Sequence, residues 1–246
     1  MFTSLKFNWR NYLIEAWALG MFMWSATFFA GLLQLPGLPL RQAIPDPLLR
    51  RWLMGCAMGL TAVGLIYSGW GRRSGAHMNP ALTLTFLYLK KIGRYDAAWY
   101  ILAQCAGGAA AMLLAKALFP AFAGAPEVNY VQTLPGIAGV AAAFAAEFAI
   151  SFGLLLTVLY SSNFARTASF TGVFAGLLLM LYITFEDPFS GVSMNPARTL
   201  ASAVAAGNFS YFWLYALAPG LGMFSAGLLW KRWICSKPEF RCCYIA

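Results

Sequence analysis

An eleven-residue stretch that occurs twice constrains the fold of this chain more than any other feature. Residues Ser74–Leu84 read SGAHMNPALTL and residues Ser190–Leu200 read SGVSMNPARTL, so eight of the eleven positions are identical. The central asparagines, Asn79 and Asn195, are 116 residues apart (195 − 79). An Asn-Pro pair alone is a common helix start, with Asn as the N-cap and Pro at the first helical position. Two copies, each among long apolar segments, predict a chain built from two related halves.

The composition predicts an integral membrane protein. Hydrophobic residues make up 61% of the chain and charged residues only 10%, whereas a soluble domain carries roughly 25% charged residues. The formal net charge of +9 does not indicate nucleic-acid binding, because the basic residues lie between apolar runs instead of forming one stripe. Such a distribution is typical of a membrane topology signal.

Six apolar runs are long enough to cross a hydrocarbon core of about 30 Å. The predicted spans are Leu13–Leu35, Trp52–Gly69, Ala97–Phe119, Ile137–Tyr160, Ser169–Phe185 and Tyr211–Trp230. Each repeat opens a shorter helix, Pro80–Leu89 or Pro196–Ala206. At a rise of about 1.5 Å per residue, the first of these covers only about half of the core. The sequence therefore predicts an all-α membrane protein with six transmembrane helices and two re-entrant half-helices.

The basic residues also predict the orientation of the chain. If the N-terminus is cytoplasmic, four basic residues face outward, namely Arg41, Arg50, Arg51 and Lys116. The cytoplasmic segments then hold twelve, namely Lys6, Arg10, Arg72, Arg73, Lys90, Lys91, Arg94, Arg166, Lys231, Arg232, Lys237 and Arg241. The positive-inside rule favours this arrangement in a multi-pass protein of the cell membrane, with both termini in the cytoplasm.

This topology places the two repeats on opposite membrane faces, so the halves are predicted to form an inverted repeat. The halves cover approximately residues 10–120 and 137–232 of one channel domain, 1–246. A cytoplasmic tail, 233–246, contains Cys235, Cys242 and Cys243, and we interpret these cysteines as free thiols in a reducing compartment. No metal-ligand cluster accompanies them.

Two half-helices that begin near the membrane centre would bring together two positive dipole ends and two asparagine amides. Water can accept hydrogen bonds from these amides, whereas a dehydrated cation would be repelled, so this arrangement passes neutral polar molecules. Arg198 lies in the first turn of the second half-helix, where Leu82 lies in the first. A cation there opposes the helix dipole and is costly in a membrane. We therefore interpret Arg198 as a fixed charge and hydrogen-bond donor at the outer constriction.

These residues resemble the aquaporin (major intrinsic protein) family, and the resemblance covers essentially the whole chain. It rests on the context SGAHMNPALT, on the run YILAQCAGG at Tyr100–Gly108, on Arg198, and on the two boxes Asn79, Pro80, Ala81 and Asn195, Pro196, Ala197. The resemblance implies a homotetramer in the lipid bilayer with one pore in each subunit. It also implies passive conduction of water or small neutral solutes, without a cofactor or metal.

Four polar residues inside apolar segments or beside the first box are candidates for supporting the pore. Glu15 and Glu147 lie in the first span of each half, and intramembrane acids can be proton relays. The resemblance implies instead that they hydrogen-bond the backbone of the re-entrant loops, with Gln104 beside them. His77 is the only histidine and matches a family histidine before the first box. Passive lining of the inner vestibule is preferred for it over gating by protonation.

In the family, Arg198 and three further positions would form the selectivity filter. Counting back six and fifteen residues from Arg198 gives Val192 and Ile183. Counting from the first box gives Gly59 in the second span, or Met58 if the Gly-Leu-Thr at residues 59–61 is aligned instead. Strict water channels usually have His at the position of Ile183 and an aromatic residue in the second span. The lack of both favours larger neutral solutes such as glycerol or urea.

Two positions after the second box favour water instead. Glycerol-conducting members usually carry Asp directly after the arginine and a basic residue four positions later, whereas this chain has Thr199 and Ala203. We therefore predict a passive channel for water, with small neutral solutes as a second substrate class, that excludes protons and ions. A channel resembling the aquaglyceroporins, mainly for solutes the size of glycerol or urea, stays open as an alternative.

Three other classes of protein were weighed. An inverted-repeat secondary transporter would need an ion-coupling site, but no acid lies between Asn79 and Leu89 or between Asn195 and Ala206. An enzyme is disfavoured because one histidine and no Ser–His–Asp or metal-ligand cluster offer little chemistry. A closed, purely structural junction is disfavoured by the intact Asn79, Asn195 and Arg198.

Overall fold

The computed structural model of the protein describes residues 2–234, and its side chains from residue 4 to residue 233. Cys235, Cys242 and Cys243, together with Lys237 and Arg241, lie outside the described residues, so the prediction of a basic tail with free thiols stays a prediction. Within the described part of the chain the regular secondary structure is entirely helical.

Among residues 2–234, six helices are long and apolar enough to cross a membrane. In order along the chain, the first to sixth spans are Phe2–Gln34, Pro47–Tyr67, Arg94–Leu118, Gly139–Ser162, Thr171–Phe185 and Phe212–Leu229. The first half-helix is Pro80–Tyr88 and the second is Pro196–Ala206. Short helical segments join these elements: Pro39–Ala43, Gly69–Ser74, Pro120–Ala123, Asn129–Val131, Ala168–Phe170 and Asp187–Ser190. A last short segment, Trp230–Ile234, follows the sixth span. The predicted six spans and two short helices are confirmed, with ends that differ by several residues at most places.

The largest difference lies at the start of the first span, which was predicted at Leu13 and begins at Phe2. The additional turns are polar, but they are tied to the third span. Asp96 there accepts hydrogen bonds from Ser4, from Asn8 Nδ2 at 3.0 Å and from Tyr12 Oη at 2.5 Å. These three donors are four residues apart and so lie on one helix face. Hydropathy marks where the apolar run begins, whereas this contact decides where the helix begins.

Close helix contacts hold the spans together at small residues. The first span packs on the third, the second on the fifth and the fourth on the sixth. At Gly107 a Cβ would lie only 2.3 Å from the Ala16 carbonyl oxygen, and at Gly222 only 2.3 Å from the Phe148 carbonyl oxygen. Glycine is therefore required at the equivalent contact of each half, as in other closely packed membrane helices.

The two half-helices cross between the halves of the molecule. The first half-helix packs against the sixth span, and the second half-helix packs against the third. Each half-helix also begins at its asparagine cap, so the two starts face each other in the interior. The fold therefore places both eleven-residue repeats at one central site.

Candidate functional site

The two asparagines of the repeats cap the half-helices and also join them. Asn79 Oδ1 accepts a hydrogen bond from the Ala81 N–H at 2.9 Å, and Asn195 Oδ1 accepts one from the Ala197 N–H at 3.1 Å. Both prolines, Pro80 and Pro196, occupy the first helical position. The Asn-Pro pairs thus begin the helices as this dipeptide is expected to do.

The side-chain amides of the same asparagines reach across to the opposite repeat. Asn79 Nδ2 donates to the Met194 carbonyl at 2.7 Å, and Asn195 Nδ2 donates to the Met78 carbonyl at 2.6 Å. We call this reciprocal pair of hydrogen bonds the asparagine clasp. Each amide has two N–H donors, so each keeps a second donor that the clasp does not use.

Glu15 holds the loop that leads into the first half-helix. Its side chain is fully buried. It accepts hydrogen bonds from the Ser74 hydroxyl at 2.8 Å, from the His77 N–H at 3.0 Å and from the Met78 N–H at 2.6 Å. Gln104 Nε2 donates to the same carboxylate at 2.8 Å. Both carboxylate oxygens are therefore occupied by the loop and its neighbour.

Glu147 makes the equivalent contacts in the second half. It too is fully buried, and it accepts from the Ser190 hydroxyl at 2.8 Å, the Ser193 N–H at 2.6 Å and the Met194 N–H at 2.7 Å. The partners correspond position by position to those of Glu15, because Ser190, Ser193 and Met194 are each 116 residues after their counterparts.

Two buried tyrosines complete the support of the loops, and the sequence reasoning did not single them out as site residues. The Tyr100 hydroxyl donates to the Ser74 carbonyl at 2.7 Å, and the Tyr215 hydroxyl donates to the Ser190 carbonyl at 2.6 Å. They are 115 residues apart (215 − 100). This spacing, almost the same as that of the asparagines, is the signal that could have identified them.

The loop backbone is strained in the same way in both halves. Ala76, Met78, Val192 and Met194 have φ angles of 46°, 49°, 50° and 52°. Residues with a Cβ rarely adopt this left-handed conformation, which costs roughly 1–2 kcal/mol at each position. The cost is offset where the buried glutamates bind the N–H groups of the loops, so the conformation is held in place from outside the loop.

A cavity of about 650 Å³ runs past the asparagine clasp. Arg72 and Tyr67 line one end of it, and Asp187 and Arg198 line the other. Both Asn79 and Asn195 line the cavity between these ends. In this structure the N-termini of both half-helices and the arginine of the second box therefore line one continuous cavity.

Three of the predicted filter positions line this cavity together. Arg198, Val192 and Ile183 all contribute to its wall. Val192 lies in a buried cluster against which Ile183 packs. Apart from Arg198, these side chains are apolar.

The two predictions for the second span have different outcomes. Met58 lines the cavity. Gly59 does not, because it lies in the contact with the fifth span, where a Cβ would be 2.6 Å from the Gly176 carbonyl oxygen. Consecutive helical residues point about 100° apart, so Met58 faces the cavity and Gly59 faces the fifth span. Met54, one turn before Met58, lines the cavity as well.

His77 also lines the cavity. Its Nδ1 lies 3.1 Å from Thr83 Oγ1, and its ring packs edge-on against Phe86 and Tyr100 with centroids 5.0 Å and 5.1 Å away. The ring is thus fixed on three sides. Among the described residues there is no group of three or more His, Cys, Asp and Glu side chains placed to hold a metal ion.

Two acids, Glu186 and Asp187, follow the fifth span, and Asp187 lines the cavity together with Arg198. Burial raises the pKa of Glu186 to about 8, although hydrogen bonding from the Ser190 hydroxyl and the Val192 N–H opposes this shift. Burial also raises the pKa of Asp187, although the positive charges of Arg198 and Arg51 oppose this shift. Arg198 itself has a buried Nη1 without a hydrogen-bond partner in the described part of the chain.

Comparisons with known proteins agree with this architecture. A family model described as "Major intrinsic protein" matches residues 1–230. The chain is similar to the "Putative aquaporin NIP4-1" of Arabidopsis thaliana, with 34% identity over 173 residues that cover 70% of this chain and 59% of that protein. It is also similar to the "Aquaporin NIP6-1" of the same plant, with 38% identity over 172 residues that cover 69% of this chain and 54% of that protein. The chain thus spans less than two thirds of the length of these relatives.

The fold is also similar to a solved structure. The X-ray structure of the aquaglyceroporin from Plasmodium falciparum superposes with a TM-score of 0.77 over 92% of this chain and 96% of that chain. The sequence identity is 20%, so this similarity concerns the fold alone.

Proposed function

The chain belongs to the major intrinsic protein family, the family of the aquaporin channels, and on this basis we propose that it conducts water and small neutral solutes passively and excludes protons and ions. Members of this family are channels and not enzymes. What this particular chain conducts, and how well it rejects ions, is our proposal.

The observation that carries the proposal is the asparagine clasp inside the cavity. Each amide keeps one N–H for a molecule in the cavity, and the positive ends of two half-helices lie beside it. A water oxygen can accept from these donors. A cation would lose its hydration next to two partial positive charges. The clasp therefore favours neutral molecules that carry a hydrogen-bond acceptor.

Arg198 is proposed as the second barrier to cations, at a narrow filter with Met58, Val192 and Ile183. The three apolar side chains offer no hydrogen bonds to a single file of water, and none has the bulk of an aromatic ring. This composition supports a second candidate function, conduction of solutes such as glycerol or urea beside water. The Thr199 hydroxyl is hydrogen-bonded to the Ser193 hydroxyl at 2.5 Å and to the hydroxyl of Thr133, between the third and fourth spans, at 3.0 Å.

Glu15, Glu147 and Gln104 are proposed to support the pore by holding the re-entrant loops. The two glutamates accept from loop N–H groups, and Gln104 donates to Glu15. Every carboxylate oxygen of Glu15 and Glu147 thus has a structural partner, which argues against a proton relay and a proton-coupled transporter. His77 is proposed to line the pore passively, because Thr83 and two rings fix its orientation.

The end of the cavity at Arg72 is proposed to face the cytoplasm of a cell whose membrane holds the channel. Basic side chains cluster around this end, in the segment Gly69–Ser74 and after the first half-helix, as the positive-inside rule requires. A homotetramer remains the expectation that membership of the family implies.

The first test is stopped-flow light scattering on proteoliposomes that contain the purified protein. We expect osmotic shrinkage much faster than in empty liposomes, together with measurable re-swelling in glycerol or urea. Fluxes that saturate with solute and follow a proton gradient would support the transporter instead. Absence of every flux would contradict the channel proposal.

Two variants test the filter in the same vesicles. Arg198→Val should raise the cation or proton leak, measured with a pH-sensitive dye, and an unchanged leak would contradict the role given to Arg198. Ile183→His should narrow the filter and lower the flux of glycerol relative to water. An unchanged ratio would show that the filter lies elsewhere.

A further inference from the structure

Asp187 is the only acidic residue that lines the cavity in the described part of the chain. It lies at the same end as Arg198 but comes from a different segment, the short helix Asp187–Ser190. The two charged groups face one space, yet no ion pair with an N···O distance within 4 Å joins them. The cavity therefore presents a carboxylate and a guanidinium that do not bind each other directly.

Both groups have hydrogen-bonding capacity that protein partners do not use. Arg198 Nη1 is buried without a partner among the described residues, although a guanidinium carries five donors. The carboxylate of Asp187 makes no side-chain hydrogen bond to a described residue either, and it can only accept when ionised. A buried N–H donor without an acceptor costs free energy, and this cost is removed when a molecule in the cavity accepts its hydrogen bond.

The position of Asp187 is fixed by its surroundings. Pro188 follows it directly, and the Gly191 N–H donates to the Asp187 carbonyl at 2.8 Å. Gly191 has a φ of 80°, which glycine adopts without strain. Ser190, in the same turn, donates a hydrogen bond from its hydroxyl to the buried Glu147. The Asp187 carboxylate therefore extends from a turn whose backbone is held by hydrogen bonds.

The other side chains of the predicted filter, Met58, Ile183 and Val192, are apolar. A molecule that passes Arg198 thus meets donors on one side, a carboxylate on another and hydrocarbon at these three side chains. Such a wall interacts most favourably with a solute that both accepts and donates hydrogen bonds.

We propose that Asp187 is a specificity-determining residue that accepts a hydrogen bond from a hydroxyl or amide N–H of the solute while Arg198 donates to the oxygen of the same solute. The solutes selected are small neutral polyols and amides, which carry both groups. This inference rests on the proposed conduction of neutral solutes and adds the residue that would select among them.

The test compares Asp187→Ala, Asp187→Asn and the control Glu127→Ala in proteoliposomes, with glycerol, urea and water fluxes measured on one preparation. Glu127 is an exposed acid away from the cavity. We expect the ratio of glycerol to water permeability to fall about tenfold in Asp187→Ala, as for the loss of one charged hydrogen bond. Asp187→Asn keeps an acceptor oxygen and should lower the ratio only roughly threefold. Glu127→Ala should leave it unchanged.

Two results would overturn the inference and spare the channel proposal. One is a ratio of glycerol to water permeability that is unchanged in Asp187→Ala, with or without a rise in anion leak. The other is a wild-type protein that passes water but no glycerol or urea. If all fluxes of both Asp187 variants fall together, Asp187 holds the fold and does not select solutes. Size-exclusion chromatography of each variant detects that case directly. Only a wild-type protein without any flux would contradict the proposed function itself.

Discussion

Two buried glutamates show how single residues decide the shape of this site. Glu15 and Glu147 would be costly in the interior as unpaired charges. Each is surrounded by N–H and O–H donors from a loop whose backbone is strained. The strain and the burial therefore compensate each other, because the conformation that is unfavourable for the loop is the one that satisfies the carboxylate.

Removal of one of these acids should destabilise the protein strongly. Glu147→Ala leaves the Ser193 and Met194 N–H groups buried without an acceptor, and each costs about 1–3 kcal/mol. We expect a lower midpoint of thermal unfolding in detergent, measured by tryptophan fluorescence. Glu127→Ala, which removes an exposed acid, is the control and should unfold like the wild type. Equal midpoints for both variants would show that the loops do not depend on Glu147.

Glu186 should make stability depend on pH. Its pKa is raised to about 8 by burial, against about 4.3 for a free glutamate. Between these values the folded state binds a proton that the unfolded state lacks, so this contribution to stability is full below about pH 4 and lost as the pH rises through about 8. We expect the unfolding midpoint of the wild type to fall over this window more steeply than that of Glu186→Gln. Parallel curves for the two proteins would contradict the raised pKa.

The residues of the site that sequence could predict are those with a local signature. Asn79, Asn195 and the prolines cap helices, and Arg198 violates the preference of a helix start. Positive φ angles at Ala76 and Met78 were not predictable, because neither residue favours that conformation. They depend on a glutamate some 60 residues earlier in the chain (76 − 15 = 61).

Among the elements, the contact between the second and fifth spans explains why Gly59 does not line the cavity. Its Cα faces Gly176, and at Gly176 a Cβ would lie 2.8 Å from the Gly59 carbonyl oxygen. Ungapped counting from Asn79 reaches this face of the helix. Aligning Gly-Leu-Thr at residues 59–61 instead reaches Met58, on the face that lines the cavity. Span order was predictable from hydropathy, whereas helix rotation needed this packing contact.

Two identical substitutions in the second span test this contact. Gly59→Ala places a Cβ 2.6 Å from the Gly176 carbonyl and should lower stability by roughly 1–3 kcal/mol, as overpacking does. Gly64→Ala meets no atom within 4 Å and should stabilise the helix by roughly 0.5–1 kcal/mol. Thermal unfolding of the two variants in one detergent measures the difference. Similar midpoints would mean that the spans do not touch at Gly59.

For the whole molecule, the important consequence of the two repeats is that the central site needs both halves. Each half-helix packs on the third span of the opposite half, and the asparagine clasp joins the two starts. Sequence could predict that the half-helices enter from opposite faces. It could not predict that the amides bind carbonyls of the opposite loop, because that depends on the distance between two elements 116 residues apart.

A double-mutant cycle measures how tightly the clasp couples the halves. Asn79→Ala and Asn195→Ala each remove a helix cap, worth roughly 0.5–2 kcal/mol, and one of the two reciprocal hydrogen bonds. When one bond is lost, the loops can move apart and weaken the other. The double variant should therefore cost less than the sum of the single variants, by about 0.5–3 kcal/mol.

The control cycle pairs Asn79→Ala with Asp46→Ala, which removes the cap of the second span, where Asp46 Oδ1 accepts from the Leu48 and Leu49 N–H groups. Asp46 lies outside the clasp, so these two effects should add within about 0.5 kcal/mol. If the asparagine pair is as additive as the control pair, each half holds its own half-helix and the clasp only lines the cavity. If it is not, the same two hydrogen bonds that shape the cavity also join the two halves of the fold.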